Sequence, residues 1–136
     1  MKLDTLCRRY EVEKQQLIVE SRDEVALSQL TQRGYYTSYY VDFDKPSRLS
    51  QAEKAACMAR LRSVARSGQV RALSFPGWWY DEIHRELQVP SIDLLTWMHR
   101  STEAEVRLWP MNLSPLSDSQ LKVILVKSKG KYHRIE

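Results

Sequence analysis

The chain is short of the residues that build several common scaffolds and sites. Its 136 residues include four Gly, five Pro and two Cys, and 43% of them are hydrophobic. Two cysteines cannot build a disulfide-rich framework, and Cys7 and Cys57 lack the Cys-x-x-Cys spacing of zinc sites. The Gly-x-Gly-x-x-Gly and Walker patterns that cradle nucleotide phosphates do not occur, nor does a Gly-x-Ser-x-Gly elbow. These absences exclude a disulfide scaffold and several familiar catalytic motifs.

Long apolar runs are also missing. Those present, such as residues 123–126, are far shorter than the roughly 20 residues that cross a bilayer. Residues 1–4, Met-Lys-Leu-Asp, contain no apolar region of a signal peptide, so we expect a cytoplasmic protein. A chain of about 150 residues buries roughly two thirds of its surface, so this length supports an ordinary core. We predict one domain over residues 1–136, with residues 100–136 as a C-terminal extension.

Positive charge is concentrated at one end of the sequence. Residues 119–136 carry five basic side chains and one acidic side chain, so this segment accounts for the whole net charge of +4. A nucleic-acid footprint would more often spread over a face or a helix. A basic tail attracts any polyanion. Nucleic acid, an acidic protein and an anionic membrane surface therefore remain alternatives for a partner.

Apolar and aromatic runs alternate with helix-start signals. Runs near 16–20, 35–42, 70–75 and 92–98 predict β-strands. Between them, Ser21 with Glu24 and Ser50 with Glu53 have the spacing of capping boxes, which begin helices. Strands that alternate with helices predict an α/β fold with a parallel sheet in βαβαβαβ order and right-handed crossovers. Residues 121–126 and 132–135 flank a Lys- and Gly-containing segment, which predicts a C-terminal β-hairpin.

Polar and aromatic residues cluster where the predicted strands end. In parallel α/β sheets, ligands bind outside the carboxyl ends of the strands. The residues that fall there are Glu20, Tyr40, Asp42, Ser74, Trp97 and His99. They would bring carboxylates, a hydroxyl, an imidazole and aromatic walls to one edge of the sheet. The sequence therefore predicts a ligand site at that edge.

Each of these residues also has a structural interpretation. For Asp42 and Ser74, a structural role as a helix cap or in a solvated loop is about as common as a role in a ligand site. His99 is a single histidine at a strand end, where a structural role is more common than catalysis. The cluster Trp78-Trp79-Tyr80 could stack on a ligand, rest on a membrane surface, or begin a helix packed on the sheet.

Four segments carry a resemblance to a known family. They are Leu17-Ile18-Val19-Glu20-Ser21, Tyr36-Thr37-Ser38-Tyr39-Tyr40, Ala72-Leu73-Ser74-Phe75 and Leu94-Leu95-Thr96-Trp97. Their order resembles the C-terminal half of the glycerophosphodiester phosphodiesterase and phosphatidylinositol-specific phospholipase C-like (β/α)8 barrels. The resemblance implies a divalent cation, Ca²⁺ or Mg²⁺, with Glu20 as a metal ligand and Trp97 lining the pocket. A full barrel needs about 250 residues, and the family's His-Arg-Gly and Glu-x-Asp motifs do not occur. The resemblance therefore implies a half-barrel or barrel fragment that is inactive alone.

Two functions follow as hypotheses. The first is a phosphodiesterase-like barrel piece that binds a phosphodiester or phosphate ligand. In this hypothesis Glu20 is the metal ligand. If the protein is a metal-dependent hydrolase, its catalytic residues are His99 and Asp42. The ligand-binding residues are Ser74, Tyr40, Trp97, Lys129 and Lys131. The alternative is a non-enzymatic α/β module that contacts an anionic partner through the basic hairpin. An open parallel sheet also has unpaired edges, so we expect a homodimer that buries the Trp78-Trp79-Tyr80 cluster.

Overall fold

A computed structural model of the chain describes residues 2–99, 119–128 and 131–135. The described helices are α1 (Lys2–Arg9), α2 (Glu24–Gln32), α3 (Gln51–Arg66) and α4 (Tyr80–Glu86). The described strands are β1 (Ile18–Ser21), β2 (Tyr36–Tyr40), β3 (Ala72–Pro76), β4 (Asp93–His99), β5 (Leu121–Ser128) and β6 (Lys131–Ile135). A short 3-10 helix, Gly77–Trp79, leads from β3 into α4.

The strands form one sheet whose order in space is their order in the chain. β1 to β5 run parallel, each paired with the next, which confirms the predicted α/β class and parallel sheet. β5 is a fifth parallel strand, although the sequence had assigned residues 121–126 only to a hairpin. β6 pairs with β5 in the antiparallel direction. Residues 129–130, where the hairpin turn is predicted, lie outside the described residues.

The unreversed strand order places the described crossover helices on one side of the sheet. Right-handed crossovers that all step the same way put every intervening helix on the same face. The hydrophobic core agrees with this, because one cluster joins side chains of α2, α3 and α4 to alternate residues of β2, β3 and β4. Its members include Leu27, Leu61, Val64, Ile83, Tyr39, Leu73, Phe75 and Leu94. We call this side of the sheet the covered face.

The opposite side, which we call the open face, carries the other set of alternating residues. Strand register places Glu20, Ser38 and Ala72 in one row across this face, and Tyr40, Ser74 and Leu95 in the next row. None of the described helices contributes to a core on this side. The middle of this face is buried at Ser38, Ala72, Ser74 and Leu95. Toward the carboxyl ends of the strands, Glu20 is exposed and Tyr40 and Trp97 are half-buried, so a ligand can reach the face there.

The two predicted capping boxes have different outcomes. At the start of α3, Ser50 accepts a hydrogen bond from the Glu53 amide, and the Glu53 carboxylate accepts one from the Ser50 amide, as predicted. The box that pairs Ser21 with Glu24 is wrong. Ser21 still belongs to β1, where it pairs with Tyr39, and α2 is capped instead by Asp23, which accepts from the Ala26 amide.

Burial varies along α3 and is low on β1. Ala52, Ala55 and Ala56 of α3 are exposed, and its buried residues begin at Met58. β1 is an edge strand, with Ile18 47% exposed. Both patterns arise because burial depends on which neighbours cover an element.

The aromatic cluster after β3 lies mostly inside the protein. Trp79 and Tyr80 are fully buried in the covered-face core, and Trp78 alone is exposed, at 43%. Trp79 packs edge-on against Phe43 and donates its indole N–H to the Asp44 carbonyl. Two of the three residues are thus unavailable for the interface that the sequence suggested. The homodimer stays a prediction without that surface.

Candidate functional site on the open face

A chain of hydroxyl groups ends on the Glu20 carboxylate. The Ser74 hydroxyl of β3 donates a hydrogen bond of 2.5 Å to Glu20 Oε1. The hydroxyls of Ser74 and Ser38 are also hydrogen-bonded to each other. Both serines are fully buried, whereas Glu20 is exposed on the edge strand. The three side chains therefore form one connected group that runs from the interior to the solvent.

The single proton on each hydroxyl fixes the direction of this chain. Ser74 has one O–H, and it is given to Glu20, so the bond between the two serines must be donated by Ser38. Both hydroxyl protons are therefore directed toward the carboxylate. A hydrogen bond to an ionised acceptor is stronger than a neutral one. The arrangement orients one Glu20 oxygen and leaves its second oxygen without a hydrogen bond to these serines.

An aromatic pair crosses β3 beside the hydroxyl chain. The rings of Tyr40 on β2 and Trp97 on β4 are stacked, with their centroids 5.3 Å apart and an interplanar angle of 11°. Because β3 lies between these strands, the rings meet above it, next to Ser74, which pairs with Tyr40 in register. Both side chains are half-buried. They place a stacked pair of aromatic rings beside a carboxylate.

The other end of the open face carries a separate polar contact. The Tyr36 hydroxyl donates to Asp93 Oδ2 at 2.5 Å. Burial raises the pKa of the Tyr36 phenol, and its hydrogen bond to Asp93 raises the pKa further. Tyr36 therefore stays protonated as a donor. This contact joins β2 to β4 at the amino ends of the strands, away from the predicted site.

Asp42, a predicted catalytic residue, is already engaged. Its carboxylate forms an ion pair with Arg22 across 2.8 Å, and both side chains are more than half exposed. The pair neutralises Asp42 locally and links the loop after β2 to the loop after β1. Glu20 is consequently the carboxylate that remains for a ligand beside the aromatic pair.

Glu20, the predicted metal ligand, lacks a cluster of further metal-ligating side chains in the described part of the chain. Among the residues that the structure describes, no group of three or more His, Cys, Asp or Glu side chains lies close enough to hold a metal ion. Glu20 could still hold Mg²⁺, which usually keeps several waters and takes one or two carboxylates together with oxygens of the substrate. The donor set present is compatible with a cation shared between the protein, water and a ligand.

The remaining predicted residues fall at or beyond the limits of the described chain. His99 is the last residue of β4 and pairs with Lys127 of β5. Lys131 begins β6 and pairs with Ser128. Lys129 lies outside the described residues. The structure thus brings Glu20, Ser74, Tyr40 and Trp97 together at one edge of the open face, and places Asp42 in an ion pair.

Sequence reasoning did not select Ser38 as a site residue. It lies two positions before Tyr40, so strand alternation places both residues on the same face. Its burial and its bond to Ser74 depend on the neighbouring strand, which the sequence alone does not reveal. The only signal in the sequence was that Ser38, a hydroxyl residue, is expected on the same face of the strand as Tyr40.

A second polar cluster lies at the amino end of the sheet, far from the open-face site. Asp4 of α1 accepts a hydrogen bond from the Tyr35 hydroxyl and forms ion pairs with Lys14 and Arg33. The hydrogen bond from Tyr35 and the two cations lower the pKa of Asp4 to about 2. Asp4 is therefore ionised near neutral pH, and the cluster fastens α1 to the start of β2.

Comparison with known proteins does not identify this site. No protein-family model, curated protein or solved structure matches the chain. In the described part of the chain, no helix has the length and apolar character needed to cross a bilayer.

Proposed function

We propose that the open face binds a phosphodiester or phosphate ligand at the carboxyl ends of its strands, as a phosphodiesterase-like barrel piece. The observation that carries this proposal is the Ser38–Ser74–Glu20 chain beside the stacked Tyr40 and Trp97 rings. The group lies on the side that the described helices leave open, at the edge where parallel strands carry ligand sites. The unreversed strand order is also that of a barrel segment.

Each side chain of the site has its own role in the proposed binding. The aromatic rings of Tyr40 and Trp97 offer an apolar contact for the carbon atoms in the alcohol part of the ligand. The second Glu20 oxygen can accept hydrogen bonds from hydroxyl groups, or hold a Mg²⁺ or Ca²⁺ ion with water and ligand oxygens. Such a cation would supply positive charge that offsets the phosphate. Ser38 and Ser74 keep the carboxylate in place.

We propose binding without hydrolysis by this chain alone. An acid–base pair of Asp42 and His99 would need the ion pair between Asp42 and Arg22 to open first. The described residues also form five parallel strands, fewer than the eight of a closed barrel. A partner or a second copy would then supply the missing wall of the pocket.

Calorimetric titration with glycerophosphoglycerol tests the binding proposal. We expect saturable binding that Mg²⁺ or Ca²⁺ strengthens, together with a higher thermal midpoint at millimolar metal, since a ligand selective for the folded state stabilises it. Glu20→Gln should abolish the metal effect. Glu86→Gln, a change at an exposed position of α4, is the matched control. Absence of binding by folded wild-type protein, with and without metal, would contradict the proposal.

The second candidate function is a module that contacts an anionic partner through β5 and β6. Four of the five basic residues of 119–136 lie on these two strands, and β6 forms the sheet edge opposite β1. We propose that the two strands form a hairpin around residues 129–130 that presents this charge. A salt titration of binding to a nucleic-acid duplex or anionic vesicles tests it, because affinity carried by about five cations falls steeply with salt.

A further inference from the structure

The ion pair of Arg22 and Asp42 lies at the same edge of the sheet as Glu20. Arg22 directly follows the last residue of β1, and Asp42 follows the end of β2 by two residues. Because β1 and β2 are parallel, both residues lie at the carboxyl edge. Two residues of extended chain span at most about 7 Å, so the Cα atoms of Glu20 and Arg22 lie within that distance. The ion pair therefore adjoins the carboxylate that the proposed function uses.

This ion pair lacks the supporting contacts that hold another one in the molecule. Asp4, the partner of Arg33, is also bound by Lys14, and its side chain is only 18% exposed. The side chains of Arg22 and Asp42 are 63% and 57% exposed. Within the described part of the chain, each forms its hydrogen bond and ion pair with the other alone. Water and salt screen such an exposed pair, so another anion can readily replace its carboxylate.

The guanidinium of Arg22 suits a phosphate as well as it suits Asp42. Arginine presents a planar fork of N–H donors that matches the oxygens of carboxylates and of phosphates. In the structure, Nη1 of this fork donates to Asp42 Oδ2 across 2.8 Å. A phosphate next to Glu20 has oxygens that can accept hydrogen bonds from the same fork. Asp42 and a phosphate would therefore compete for one group of donors.

We propose that Arg22 binds the phosphate of the open-face ligand and that Asp42 is an internal competitor, which occupies the Arg22 guanidinium when no ligand is bound. Phosphate binding then replaces the ion pair and separates the loop after β1 from the loop after β2. The apparent affinity is reduced to the fraction of molecules in which Arg22 is free. This inference rests on the proposed function and assigns both a phosphate-binding residue and a regulatory contact to its site.

Calorimetric titration of the full chain with glycerophosphoglycerol at a fixed millimolar concentration of Mg²⁺ tests the competition. Arg22→Gln should weaken binding about tenfold or more, the usual loss for a hydrogen bond between charged groups. Asp42→Asn should strengthen binding about two- to fivefold, since it removes an exposed ion pair that opposes the ligand. In the double variant Arg22→Gln/Asp42→Asn, the second change should add no affinity, because its effect acts through Arg22.

The loop after β2 offers matched controls. Asp44→Asn and Arg48→Gln remove the same charges from exposed positions of that loop. Each should change the affinity less than about twofold. Arg22→Lys keeps the charge without the planar fork, and it should bind more tightly than Arg22→Gln and less tightly than wild type. Thermal unfolding of each variant checks that it is folded.

The outcomes separate this proposal from the function on which it rests. An unchanged or weaker affinity in Asp42→Asn would overturn the competition. A gain as large in Asp44→Asn, or one that persists when Arg22 is absent, would show a general effect of charge and overturn it too. If Glu20→Gln abolishes the metal effect while Arg22→Gln binds like wild type, the assignment fails and the proposed function stands. No binding by wild-type protein would overturn both.

Discussion

The two faces of the sheet are built from the same strands but by different physical means. The covered face buries a continuous apolar cluster against three helices, and Leu73 and Phe75 at its centre are fully buried. The open face holds fully buried hydroxyls that are joined by hydrogen bonds and end on an exposed carboxylate. Apolar contacts are non-directional, whereas hydrogen bonds require defined partners. The first face therefore supplies stability, and the second supplies the chemical features of a site.

The largest effect should come from the covered face. Phe75→Ala removes a fully buried ring from its centre and should lower the free energy of unfolding by about 3–5 kcal/mol. Ile18→Ala, on the open side of edge strand β1, should cost about 1 kcal/mol or less, because that side chain is already 47% exposed. Urea unfolding of both variants measures the difference. Similar losses for the two variants would remove the distinction between the faces.

The hydroxyl chain should show a smaller but non-additive effect. Ser74→Ala removes the acceptor of the buried Ser38 hydroxyl, and leaving such a group unsatisfied costs about 1–3 kcal/mol. The double variant Ser38→Ala/Ser74→Ala should cost less than the sum of the two single variants, since it leaves no orphaned hydroxyl. A double-mutant cycle by urea unfolding gives the coupling. Additive losses would mean that the two hydroxyls do not interact.

The amino end of the sheet should lose stability in acid. The lowered pKa of Asp4, about 2 in the folded protein, lies below the usual value of about 3.9. Its contribution to stability is therefore present above about pH 4 and is lost as the pH falls toward 2. Thermal unfolding of wild type and Asp4→Asn between pH 5 and pH 2 measures this. The two midpoints should converge at low pH, and a constant difference would contradict the assignment.

The smallest effect concerns the end of α1. Glu11 has a φ of 53°, a left-handed conformation that glycine adopts without the steric cost of a Cβ. Glu11→Gly should raise the free energy of unfolding by roughly 0.5 kcal/mol, because the relief of strain exceeds the added entropy of the unfolded chain. Glu11→Ala keeps the Cβ and separates the backbone effect from loss of the side chain. A gain as large in Glu11→Ala would assign the effect to the carboxylate.

Strand alternation made much of the site predictable. Glu20, Tyr40, Ser74 and Trp97 were chosen because they end strands, and parallel pairing brings strand ends to one edge. The cap of α2 was not predictable, because Ser21 and Asp23 are both good caps and only the length of β1 decides between them. The family resemblance and its metal stay predictions.

Burial was the part that the sequence could not supply. Ser38 and Trp79 have side chains that occur both at surfaces and in interiors, and their burial depends on strands and helices distant in the chain. The exposed alanines at the start of α3 show the same dependence, since alanine fits either environment. The fifth parallel strand required knowing that the edge of β4 was open to pairing. Such properties arise from tertiary packing rather than local pattern.

The unreversed strand order also has a consequence for how the chain reaches its structure. Among the described strands, each parallel strand pairs with the one that follows it along the chain, so the sheet can grow in chain order. Each of these pairings still closes a long crossover connection, and parallel sheets form slowly for that reason, although no strand has to insert between two strands that are already paired. β1, α2 and β2 can therefore assemble while later strands are still being synthesised at the ribosome, and each new strand then adds to an existing edge.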